Sequence, residues 1–322
     1  MAGQKNSVGK RGPGMVENAI SALNALIGDY LSQTNNELQQ PMAFYSENLP
    51  KAPEDLAAPP TGKVSVLVHG LGCNESLWKF PAPHEGGDYG ELLEERCGYM
   101  PLYLRFNTGL RVSTNGKQLA GLLEQYTTSN DAAVTELLLI GHSLGGLVIR
   151  SACHLGSKLG QDWVSRVRHV VYLGSPHQGA PLEKTTNVAT NVLGLFNTTA
   201  TRVIRDVLNS RSAGVKDLRY GNLVERDWLD CDPDELMSNR RVPVPWLATA
   251  RHHLAVGQAL AGVETLGDAM VLSQSAAGRA LGSQPGPPAG SDVQVMPGLG
   301  HLALARDPAV FEHLESWVRE DG

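Results

Sequence analysis

Apolar residues change their spacing several times along the chain, and each change predicts an element. Val16, Ile20, Leu23, Ile27 and Leu31 recur at intervals of three and four, the signature of an amphipathic helix over 15–31 that needs a partner surface. Its other face carries Glu17, Asn18, Asn24 and Asp29. Residues 47–62 hold four prolines and read as a linker or surface loop. Strand and helix signals then alternate. Val64–Val68, Pro101–Phe106, Glu136–Ile140, Val167–Leu173, Val244–Ala248 and Asp292–Met296 read as strands. Gly116–Tyr126, Leu144–Lys158 and a last helix from Asp307-Pro308 lie among them, the last with an N-cap and proline at its first position. Wholly apolar strands separated by helices predict a mostly parallel sheet covered on both faces.

Residues 180–241 break that rhythm. Val192, Phe196, Ala200, Val203 and Val207 share one helical face between threonines and asparagines. An insertion of this length between two strands reads as a helical cap over whatever the sheet edge presents. The expected organisation is an N-terminal helix and proline-rich linker over 1–61, then one catalytic unit over 62–322 with a cap near 180–241.

Composition narrows this picture. The 322 residues are 42% hydrophobic and 19% charged, with a formal charge of −6, a globular and mildly acidic chain that argues against nucleic acid as a partner. No apolar run exceeds four residues, so neither a signal peptide nor a membrane span is read, and a cytoplasmic location is expected. Cysteines 73, 97, 153 and 231 lie far apart and read as free thiols. The N-terminal helix has no basic face, the usual mark of a membrane-surface helix, so docking on the body or homodimerisation are the roles left open. Residues 225–235 hold six acids against one arginine. Asp230, Asp232 and Asp234 open like a calcium loop, but Glu235 and Arg241 stand where glycine and glutamate are needed, which leaves a solvated acidic surface.

The chemistry concentrates at Gly141-His142-Ser143-Leu144-Gly145, a G-x-S-x-G between an apolar strand and a helix. Glycines two residues either side of Ser143 permit a tight turn that lifts its hydroxyl off the sheet edge as a nucleophile. Acyl transfer also needs backbone donors for the oxyanion. Leu144, next after the serine, supplies one N–H. His69-Gly70-Leu71-Gly72, directly after the first core strand, makes Leu71 the candidate for the other.

These segments, with Gly174-Ser175-Pro176-His177-Gln178-Gly179, resemble the α/β-hydrolase superfamily on its bacterial lipase and esterase side, including GPI-inositol-deacylase-like hydrolases. The resemblance covers roughly 62–180 and 244–319. It implies an α/β-hydrolase fold and a triad in the chain order serine, acid, histidine. Only His301 and His313 follow every candidate acid. His301, in a loop after the last strand, is the expected general base, whereas His313 lies within the last helix. Leu266-Gly267-Asp268-Ala269-Met270-Val271 resembles the loop that presents the aspartate in related lipases, which makes Asp268 the expected acid. Asp292, Glu264 and Glu183 remain competitors. His69, His142 and His177 read as structural rather than metal-binding, and no cofactor is expected. The function implied is carboxylic-ester hydrolysis of uncharged, lipid-like or short-to-medium acyl esters. Acyltransfer or amide cleavage at the same serine, and a non-catalytic hydrolase-like binding protein, are the alternatives.

Overall fold

The computed structural model describes residues 14–81, 87–180, 212–229, 241–259, 268, 271–278 and 284–319. An eight-stranded sheet runs through them in the order β2-β1-β4-β3-β5-β6-β7-β8. The strands are β1 (Ala43–Ser46), β2 (Leu49–Lys51), β3 (Lys63–Val68), β4 (Met100–Arg105), β5 (Glu136–His142), β6 (Val167–Leu173), β7 (Arg251–Gln258) and β8 (Asp292–Pro297). β1 pairs antiparallel with β2 and β4, and every other pairing is parallel.

Alternation along the strands explains the two covered faces. Val64, Val66 and Val68 of β3 and Leu137 and Leu139 of β5 enter one core with Leu119, Leu123, Leu147 and Val148. The last four come from α3 (Val112–Ser129) and α4 (Leu144–Leu159). Leu67, Leu138 and Ile140 point to the opposite face, against Leu93 of α2 (Tyr89–Cys97) and Phe311 and Leu314 of α6 (Pro308–Arg319). The sequence reading did not include α2, although Asp88 caps it by accepting the Glu91 N–H at 2.9 Å and Gly98 ends it in a left-handed conformation.

Two further readings need correction. The stretch 244–248 is not a strand; the fifth parallel strand is β7, a few residues later. Pro243 and Pro245 carry no N–H for a ladder, and Val244 and Trp246 are apolar because they pack in the core beside α4. Within the proline-rich stretch 47–62, residues 49–51 form β2, and Glu47 and Asn48, both at positive φ, make the hairpin turn from β1.

The N-terminal helix α1 (Met15–Gln33) forms as expected but docks on an unexpected face. Val16 is 67% exposed, and Ile20, Leu23 and Ile27 are only half-buried. The buried residues are Ser21, Ala22, Asn24, Ala25, Leu26, Gly28 and Leu31, of which Leu31 alone belongs to the expected apolar face. Asn24 donates to the carbonyls of Ile20 and Leu38 and accepts the Gln40 N–H at 3.0 Å. Asp29 accepts the N–H of Ala213, at the start of α5 (Ala213–Tyr220), at 2.9 Å. Polar residues of α1 thus supply partners to loop backbone that has none within a ladder. Among the described residues, no helix is long and apolar enough to cross a membrane.

Candidate active site

β5 runs into Ser143, which sits at φ 52°, ψ −120° immediately before α4 begins at Leu144. Positive φ at a residue with a side chain is strained. Here the surroundings hold it, because Ser143 donates its N–H to the Leu173 carbonyl of β6 at 2.9 Å. The flanking glycines are a steric requirement. A methyl group on Gly145 would lie 2.2 Å from the Val68 carbonyl oxygen, and one on Gly141 would lie 2.6 Å from Gly146.

The loop after β3 packs directly on this turn. A Cβ on Gly70 would stand 3.0 Å from the Ser143 Cβ and 2.8 Å from His142 Nδ1, so Gly70 brings the backbone of Leu71 beside the serine. Gly72 donates its N–H to Thr108 Oγ1 at 3.1 Å. For the N–H groups of Leu71 and Leu144, no hydrogen-bond partner is found among the described residues.

Asp268 and His301 meet across the ends of β6 and β7. His301 Nδ1 lies 2.6 Å from Asp268 Oδ2, the His301 N–H donates to the Asp268 carbonyl at 3.2 Å, and both side chains are buried. The other carboxylate oxygen accepts the Val271 N–H at 2.7 Å. A methyl group on Gly174, at φ 63°, would fall 2.9 Å from Asp268 Oδ2 and 3.1 Å from His301 Nδ1. With Nδ1–H donated to the carboxylate, His301 presents Nε2 as an acceptor, the form a general base requires.

His142 locks this histidine loop to the serine turn. Its Nε2–H donates to the His301 carbonyl at 3.0 Å, and the two rings lie 4.7 Å apart. Burial, reinforced by the neighbouring His301, lowers its pKa to about 3. His69 is held at about 4, again chiefly by burial, and stacks on Phe106 with centroids 4.5 Å apart. His177 is buried against Tyr172 and Trp246, and its pKa too is pushed well down by burial. All three are neutral, packed rings at physiological pH. Among the described residues, no group of three or more His, Cys, Asp or Glu is arranged to hold a metal ion.

The two competing residues that are described, Asp292 and His313, fall elsewhere. Asp292 accepts from Nδ1 of His253 at 2.8 Å and its side chain is 51% exposed. His313 is half-buried on α6 beside Trp317. Glu183, Glu264, the expected cap helix and the acidic run from 230 lie outside the described residues. One feature below the site had no sequence signal. Arg150 on α4 is buried, donates to the Val244 carbonyl at 2.8 Å and lies 4.1 Å from the Trp246 ring. Burial lowers its pKa to about 10.

A family model described as the PGAP1-like alpha/beta domain matches residues 115–228, a span that includes Ser143 and α4. No curated protein sequence matches the chain. Among solved structures it is similar to the Bacillus licheniformis lipase BlEst2 in mature form, at 18% identity, with 81% of this chain and 94% of that one covered and a TM-score of 0.49. A thermophilic esterase from Thermogutta terrifontis with malate bound is 16% identical, covering 87% and 93%, with a TM-score of 0.44. The carboxylesterase CesB of Bacillus subtilis is 13% identical, covering 93% and 99%, with a TM-score of 0.44. The strand order and the strained turn at Ser143, rather than these distant likenesses, fit the α/β-hydrolase fold.

Proposed function

We propose that this hydrolase-fold chain is a serine carboxylic-ester hydrolase. Ser143 attacks the ester carbonyl while His301 Nε2 takes its proton, and the Leu71 and Leu144 N–H groups receive the developing oxyanion. His301 returns the proton to the leaving alcohol, and then activates the water that cleaves the acyl-enzyme. Asp268 stays ionised throughout, orienting the imidazole and stabilising its cation. In this reading residues 62–322 form the catalytic unit, residues 180–241 cap it, and the substrate is an uncharged, lipid-like or short-to-medium acyl ester.

The observation that supports it best is the buried 2.6 Å contact between Asp268 and His301, on the loop that His142 ties to the serine turn. A structural histidine needs no carboxylate fixed by a backbone N–H on its far oxygen. Turnover of p-nitrophenyl esters from acetate to decanoate, below and above substrate micelle formation, tests activity and chain length together. Ser143→Ala is expected to lower kcat by about 10³-fold or more. Equal turnover by wild type and variant would end the reading.

A further inference from the structure

The N-terminal helix lies outside the region that matches the PGAP1-like domain, yet its hydrogen bonds converge on the loop that carries Leu71. Asn74, three residues on, is 98% buried by its 2% exposure and faces two ways. Its Oδ1 accepts the Ser76 N–H at 3.1 Å and the Ser76 hydroxyl at 2.7 Å, capping the short turn Glu75–Trp78. Its Nδ2 donates to Asn18 Oδ1 at 2.7 Å and to Ser21 Oγ at 3.3 Å, both on α1.

A second route reaches the same loop from the other side. Asn107 donates to the Gly28 carbonyl of α1 at 2.8 Å and accepts the Gly109 N–H at 3.0 Å. These bonds hold Thr108, whose hydroxyl accepts the Gly72 N–H at 3.1 Å. The loop itself has glycine at 70 and 72, the latter at φ 71°, and a single internal backbone bond from the Cys73 N–H to the Gly70 carbonyl at 3.2 Å, so much of its stiffness must come from outside. An oxyanion donor works only when held within a few tenths of an ångström of its target.

We infer that α1 is a positioning element of the ester-hydrolysing site: Asn18 and Ser21, acting through Asn74, hold the Leu71 N–H where the oxyanion develops. This rests on the hydrolase reading above. The two residues touch no substrate and act on the transition state rather than on ester binding.

The test compares N18A/S21A with N18D/S21A in the full chain. The first removes both acceptors on α1 and leaves Asn74 to cap Ser76. The second restores one acceptor at residue 18. For N18A/S21A, kcat on p-nitrophenyl butyrate is expected to fall about 10- to 100-fold with KM within about twofold of wild type. Inactivation by a fluorophosphonate, which also builds charge on an oxygen in that pocket, is expected to slow in parallel. N18D/S21A is expected to recover most of both rates. Unchanged kcat in N18A/S21A, a rise in KM alone, or equal losses in both variants that follow the folded fraction by circular dichroism would overturn the inference. A wild-type chain inert to ester and fluorophosphonate would instead remove the hydrolase reading beneath it, before any variant is compared.

Discussion

Asp268 binds His301 through one carboxylate oxygen at 2.6 Å and the Val271 N–H through the other at 2.7 Å, so the carboxylate can neither rotate nor drift from the ring. Asp292, the competitor nearest to His301 along the chain, is joined instead to His253. Asp268→Asn is therefore expected to lower kcat on p-nitrophenyl esters on the order of 10³–10⁴-fold, since the amide favours the wrong imidazole tautomer. Asp292→Asn is expected to stay within about threefold. Steady-state kinetics on the pair checks this, and the opposite ranking would transfer the acid to Asp292.

The neutral histidines around the sheet set the acid limit of the fold. Burial holds His69 and His252 at about 4 and His142 at about 3, against about 6.5 in an unfolded chain. Below pH 6.5 the unfolded state binds more protons, so this stability is complete above that pH and is lost as pH falls through the folded values. The shifts of His69 and His252 each correspond to on the order of 3 kcal/mol and that of His142 to about 5 kcal/mol, large against the ~5–15 kcal/mol of a typical domain. Circular dichroism against pH is expected to show cooperative unfolding between about pH 6 and 4. A chain still folded at pH 3 would mean that these rings charge without opening the core.

Two glycines differ sharply in what they permit. A methyl group on Gly109 would lie 2.1 Å from the Asn24 carbonyl of α1, whereas one on Gly121 in α3 meets nothing within 4 Å. Gly109→Ala is expected to destabilise by about 1–3 kcal/mol through overpacking. Gly121→Ala is expected to stabilise by about 0.5–1 kcal/mol through the lower entropy of its unfolded chain. Urea titration of both separates the close contact from any general response to glycine replacement.

Asp217 on α5 is buried and accepts from Arg111 and Asn222 at 2.8 and 3.0 Å and from the Val112 N–H at 2.8 Å. Burial raises its pKa, and the Arg111 guanidinium opposes that rise. Asp217→Ala strands Arg111 and the Val112 N–H at the start of α3 together with Asn222 after α5, and is expected to cost about 3–5 kcal/mol. A loss below 1 kcal/mol by denaturant titration would mean that the end of the expected cap is not anchored here.

The sheet core was legible because its signals are local. β3, β5 and β6 read as apolar runs bounded by turns, and the Ser143 turn is written in five residues. β7 is hard to read because Arg251–Gln258 carries two histidines, made compatible with burial by the Leu247 carbonyl, which His252 bonds, and by the distant Asp292 and His169, which His253 bonds. The hairpin is hidden because proline reads as a breaker, yet Pro50 sits on an edge strand where no N–H is needed. Asp268 and His301 were readable only through resemblance, since 33 residues separate them. The bonds from α1 to Asn74 left no trace in spacing, because they join residues 53 and 56 positions apart.

Gly28, Gly109 and Gly214 mark a joint where three distant segments meet closely, with would-be methyl groups 1.9 Å from the Asn107 side chain and 2.1 and 2.0 Å from the Asn24 and Thr108 carbonyl oxygens. Hydrophobic collapse has little grip on such a surface, since it rewards area rather than direction. The joint closes only when its directional bonds find finished loops, so it is expected to be among the last parts of the molecule to assemble. In a refolding experiment, burial of Trp78 and Trp163 would be complete while the proposed ester turnover was still rising, so that activity would ripen after the chain had folded.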